Sequence, residues 1–138
     1  MAKKKLKSVA ALYNDAAVLI QKIRRMEEAE YSGQCQCVTC HNWYHWKQMQ
    51  GGHFIPRQHK RWKLARRNIH PQCARCNGPL GGNLIPYTLF MQEKYGVEYV
   101  AMMESTKHDS TGMLCRADLI ALIKRLSAEA LELERNVN

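Results

Sequence analysis

Apolar residues recur at helical spacing from Ser8 to about Tyr31, at Val9, Leu12, Ala16, Leu19, Ile20, Ile23 and Met26. That period lays one apolar stripe along a helix, and Ser8 offers an N-cap hydroxyl. The same spacing returns from about Arg116 to Val137, with Leu119, Leu122, Ile123, Leu126, Ala130 and Leu133 on one stripe. Such a stripe is expected to be core, although a paired helix in a homodimer would use it equally. Between the two helices the pattern breaks into short pieces. Trp43, Tyr44 and Trp46 predict a strand or turn. Gly51-Gly52 marks a turn or a close backbone approach, and His53-Phe54-Ile55 reads as a short strand ended by Pro56. Residues 57–67 are too charged for a core element and predict a loop or short helix. A helix from Ala74 is broken early by Gly78-Pro79-Leu80-Gly81-Gly82. Another runs from Asn83 to Tyr95, with Pro86 in its first turn and Gly96 as its stop. Val97 to Met103 predicts a short helix, and Ser105 to Gly112 a polar loop. The pattern as a whole predicts one small α+β domain of 138 residues: a basic tail over 1–7, a helix over 8–31, a core over 35–96 and a helical C-terminal part over 97–138.

Composition sharpens the class. Hydrophobic residues make up 46% of the chain, as in a globular domain. No apolar signal core follows the basic start, and no apolar run is long enough to span a bilayer. A reducing cytoplasm is therefore expected, where paired Cys-x2-Cys hooks denote a metal rather than disulfides. Cys37-x2-Cys40 and Cys73-x2-Cys76 supply four soft thiolates, the ligand number of a tetrahedral structural Zn2+. Cys35 reads as a spare thiol, and His41 as a weaker competitor for the shell.

Charge locates the working surface. The formal net charge is +9, divided as +3 over residues 1–30, +8 over 31–92 and −2 over 93–138. The middle segment carries no carboxylate in 62 residues. A solvated basic face is the plain explanation, but a surface that meets phosphates accounts better for so complete an exclusion of acids. Arg57, Lys60, Arg61, Lys63, Arg66 and Arg67 are the candidate DNA contacts. Trp62, among them, either stacks on a splayed base or anchors the segment by packing. His45, His59 and His108 read as surface or loop histidines.

The ordered set Gly52-His53-Phe54, Asn68-Ile69-His70-x2-Cys73-x2-Cys76-Asn77, Leu80-Gly81-Gly82-Asn83 and Tyr87 resembles the NinG (Rap) recombination-protein family of lambdoid phages. That family is in turn similar to the HNH, or ββα-metal, endonucleases. The likeness covers roughly Cys37 to Gly96. It implies a zinc-stapled, treble-clef-like ββα-metal core flanked by helices. It also implies a phage-encoded, structure-specific endonuclease in the cytoplasm of the bacterial host. Its substrates would be branched DNA such as Holliday junctions and D-loops, and host recombination proteins are possible partners. A near-neutral His suits a general base, which makes His53 the candidate. By resemblance, Asn68 braces the loop facing it and Asn77 gives an oxygen to Mg2+ or Mn2+, with His70 or Asn83 completing the site. Asn77 and Asn83 could instead simply cap helices. Many HNH enzymes carry a metal ligand just before the base, where this chain has Gly52. The substitute would be Gln50, His70, Glu93, Asp109 or nothing. A zinc-containing DNA-binding accessory protein without nuclease activity is the alternative function.

Overall fold

The computed structural model describes residues 5–138. Most of the expected basic tail lies outside the described residues; Lys5 to Lys7 lead into the first helix without regular structure. Helix α1 spans Val9–Glu27, capped by Ser8 Oγ accepting from the Ala11 amide at 3.1 Å. It stops short of the expected Tyr31 because its apolar stripe ends at Met26, and the chain then turns through a Glu30 amide–Gln34 carbonyl bond of 2.8 Å. Strand β1 (Gln34–Gln36) pairs antiparallel with β2 (Trp43–His45), closing the first cysteine hook as a knuckle. After a 3-10 turn over Trp46–Gln48, β3 (Gln50–His53) pairs antiparallel with β4 (Ile69–Gln72). Between those strands lie α2 (Lys60–Lys63) and a 3-10 turn over Arg66–Asn68. Then follow α3 (Ala74–Asn77), α4 (Leu84–Tyr95), α5 (Val97–Ser105) and α6 (Arg116–Asn136). Two small sheets among helices make the expected α+β class. No helix among the described residues is long and apolar enough to cross a membrane.

Strand β3 departs from expectation. The strand is Gln50–His53 rather than His53–Ile55, and the glycine pair lies inside it. Of the two readings of that pair, close approach is the one realised. A Cβ at position 51 would come within 2.6 Å of Gln21 Cβ on α1, and one at 52 would overlap the Gln72 side chain on β4. Two glycines let the strand pass between them.

The β3–β4 hairpin sits between two cores. On one side Ile20, Ile23 and Met26 of α1 meet Leu126 and Ala130 of α6, together with Trp46, Met49 and Ile69. The α6 stripe is therefore core, and each Leu or Ile removed from water contributes about 1.5–3 kcal/mol. On the other side Phe54, Ile55, Trp62, Tyr87, Met91, Val100 and Met103 cluster. Trp62 is an anchor here and not a free stacking platform: it is buried, and its indole N–H donates to Thr106 Oγ1 at 3.1 Å.

Candidate zinc centre and basic groove

The four sulfurs of Cys37, Cys40, Cys73 and Cys76 lie within 4.8 Å of one another, and no His or carboxylate among the described residues joins them. Cys40 and Cys73 Sγ are 3.7 Å apart. Tetrahedral Zn–S bonds of about 2.3 Å put neighbouring sulfurs about 3.8 Å apart, so the cluster fits Zn2+. Burial opposes charge on Cys37, but hydrogen bonds from Thr39 and from the amides of Cys73, Cys40 and Thr39 outweigh it and bring that thiol down to about 6. Burial and the neighbouring sulfurs push Cys40 up to about 12. One thiolate is thus ready at neutral pH, and metal binding must expel the other protons. Cys35 points elsewhere, its Sγ 3.8 Å from the Arg25 carbonyl, and burial raises it to about 11. His41 is exposed in a left-handed turn with φ of 65°.

Polar contacts couple this centre to the hairpin. Thr39 Oγ1 lies 3.3 Å from Cys37 Sγ and accepts from Gln72 Nε2 at 3.1 Å, which also donates to the Gly82 carbonyl at 2.8 Å. Asn83 takes a left-handed backbone, and its amide donates to Cys76 Sγ at 3.6 Å. Asn83 Nδ2 is thereby turned to the cysteine cluster, and the residue makes no side-chain helix cap.

A groove of about 480 Å³ is lined by Gln50, His53, Arg57, Gln58 and Asn77, together with Gly81, Gly82 and Leu84 and, from α1, Gln21 and Arg25. His53 Nε2 is 2.9 Å from the Lys63 carbonyl. A carbonyl only accepts, so Nε2 holds the proton and Nδ1 keeps its lone pair. Burial, and then the nearby Arg57 and Lys63 charges, lower the His53 pKa against the opposing pull of the Lys63 carbonyl. The ring is neutral at pH 7, the state a base requires. Asn77 Nδ2 donates to Gln50 Oε1 at 2.7 Å, and its Oδ1 has no partner among the described residues. Asn68 is fully buried. It accepts from the Ile55 amide at 2.7 Å and donates to the carbonyls of Ile55 and Trp62 at 3.0 and 3.1 Å. It latches the loop that carries Arg57.

His70 is a correction. It is fully buried away from the groove, with Nδ1 3.1 Å from Tyr87 Oη and Nε2 2.8 Å from Tyr95 Oη. Tyr87 gives its own proton to the Gly52 carbonyl at 2.7 Å. Nδ1–H therefore donates to Tyr87, and Nε2 accepts from Tyr95. No ring nitrogen remains for a metal, and burial, reinforced by the Arg24 and Lys94 charges, lowers the pKa to about 3.

The basic residues also divide. Arg57 lines the groove; Lys60 and Arg61 line a second, smaller hollow beside His59 and His108. Lys63 donates to Asn14 Oδ1. Arg67 lies over the Tyr95 and Tyr99 rings, at 5.3 and 5.1 Å. Arg66 is a correction: it forms a two-pronged pair with Glu129 at 2.7 and 2.6 Å and approaches Glu27 at 3.6 Å. Acids from α1 and α6 thus neutralise one cation of a segment that has no acid of its own. Gln72 and Thr39 shape the site without a sequence signal; Gln50, a candidate ligand in the sequence, has its Oε1 on the Asn77 amide; Tyr87 stands in the ordered motif, but its bond to Gly52 has no pattern in sequence.

The family model for the Bacteriophage Lambda NinG protein matches residues 1–136. Over 53 residues the chain is similar to protein ninG of Salmonella phage P22, at 42% identity, and to protein ninG of Escherichia phage 933W and of Enterobacteria phage VT2-Sa, each at 43%. That stretch is 37% of this chain and 26% of each relative, so the chain spans about a quarter of the length of the curated relatives it matches. No solved structure matches.

Proposed function

This chain belongs to the Bacteriophage Lambda NinG protein family, and on that premise we propose that it is an HNH-type endonuclease acting on branched DNA of the kind formed in recombination. The observation that carries the reading is the held tautomer of His53: Nε2–H fixed on the Lys63 carbonyl, Nδ1 free, in a groove shared with Arg57 and Asn77. Arg57 seats a backbone phosphate in the groove. His53 Nδ1 takes a proton from the attacking water, and the Asn68 latch keeps the Arg57 loop at a fixed distance from it. Zn2+ on the four cysteines fixes the knuckle and, through Thr39 and Gln72, the hairpin that carries His53.

A catalytic Mg2+ or Mn2+ does not fit as readily. Such ions take anionic oxygen ligands. The groove offers only neutral amide oxygens, those of Asn77, Gln58 and Gln21, and Gln50 Oε1 is already engaged. The same lack of acids, with Gly52 in place of a ligand, favours the second reading: a zinc-containing protein that holds branched DNA without cutting it.

A labelled four-way junction with Mg2+ or Mn2+ separates the two. Wild type should cut it, and His53→Ala should keep zinc and junction affinity while cleavage falls about 10²-fold or more. Equal cutting by the variant, or none by wild type on any branched or linear DNA, leaves the binding protein as the function.

A further inference from the structure

Resting on the nuclease reading, we propose that the groove has no divalent-cation site of its own and gains one only when a DNA phosphate occupies it. No residue lining the groove is acidic, and residues 31–92 contain no Asp or Glu at all. Nor does the fold import one. Glu27 of α1 and Glu129 of α6 are held on Arg66, and Asp109 lies in the separate hollow with Lys60 and Arg61. Position 52 cannot supply a ligand, because any side chain there would overlap Gln72. His70 has both nitrogens taken. The ligand atoms left in the groove are all neutral: the amide oxygens of Asn77, Gln58 and Gln21 and the Nδ1 lone pair of His53. Opposing them are two guanidiniums: Arg57, and Arg25, whose NH1 donates to the Trp46 and Met49 carbonyls at 3.1 and 3.0 Å.

A bare dication therefore enters a groove of its own sign that offers it only neutral ligands. A backbone phosphate reverses both conditions, since it neutralises the arginines and brings anionic oxygens beside Asn77. DNA and cation then bind with positive coupling, and by linkage each tightens the other.

The test uses full-length, zinc-loaded His53→Ala, which leaves the DNA intact, and the six-line spin-resonance signal of free Mn2+. Wild type and His53→Ala, each without DNA, should leave the signal undiminished. Protein with a four-way junction should remove more signal than the junction alone, and Asn77→Ala, still bound to the junction, should abolish that excess. Loss of signal with protein alone, or no excess with the junction, overturns the proposal. Cleavage by wild type under the same conditions reports separately on the nuclease reading: an excess without cleavage keeps the coupling and removes the nuclease.

Discussion

His53 and His70 lie one register step apart on the same hairpin, paired with Ile69 and Gly52 respectively, and so point to opposite faces. On the first face the imidazole lines the groove with one nitrogen on a backbone carbonyl and the other without a partner among the described residues. On the second, both nitrogens are closed by tyrosine hydroxyls inside an aromatic cluster that includes Phe90, whose ring centroid is 5.0 Å away. Burial lowers the pKa of both. The difference in what each can do therefore comes from the number of partners and not from the shift. A lowered pKa alone marks a histidine as neutral; a base needs a spare lone pair as well, and of the two rings His53 alone keeps one.

The largest effect should erase the contrast altogether. Cys73→Ser or Cys76→Ser should lose zinc and cooperative unfolding together, since structural zinc in small domains is worth about 10–16 kcal/mol; metal content and a thermal melt measure it. Cys35→Ser should keep both. Next, His70→Ala should retain zinc but lose about 2–4 kcal/mol in denaturant titration, through the cavity and the Tyr95 hydroxyl left without its acceptor. That is the reverse of His53→Ala, where activity falls and stability holds.

Acid sharpens the comparison further. His70 titrates at about 3 when folded and at about 6.5 when unfolded. Between those values the unfolded chain binds the extra proton, so stability falls as pH drops below about 6.5, by up to about 1.4 kcal/mol per pH unit from this residue. Denaturant midpoints at constant zinc content should show the slope, and His70→Gln should flatten it. On the other face, cleavage by wild type should rise through one ionisation lying below the ordinary histidine value, since His53 is lowered too. The smallest effects concern the arginines. Arg57→Ala should weaken binding to every junction sequence and lower the salt slope by about one unit. Arg66→Ala should leave the slope unchanged and cost at most about 1 kcal/mol of stability, the usual worth of an exposed pair.

The parts of this molecule that follow from local rules were legible in the sequence. The α1 and α6 stripes and the Gly96 stop are set by residues within a turn or two of each other, and the Cys hooks by ligand spacing. What was not legible depends on which strand lies against which. The register that pairs Gly52 with His70 sends His70 into the aromatic cluster, and nothing in Asn68-Ile69-His70 signals this. Gln72 looks like any polar strand residue until Thr39 and Gly82 close on it. Arg66 belongs to a basic run in sequence, but α6 returns to it with Glu129 across 63 positions. Each miss is a long-range contact that overrides a local pattern.

The packing of Gly52 against Gln72 has a consequence for how this site can change over generations. An acid at position 52, the simplest route to a tighter cation site, is closed as a single step because the Gln72 side chain already fills the space. Shortening Gln72 first is also closed, because it unties Thr39 and Gly82 and so loosens the zinc knuckle. The two positions are expected to be epistatic: Gln72→Ser should relieve the clash of Gly52→Asp, so the double variant costs less than the sum of the two, while the loss of the Thr39 and Gly82 bonds remains.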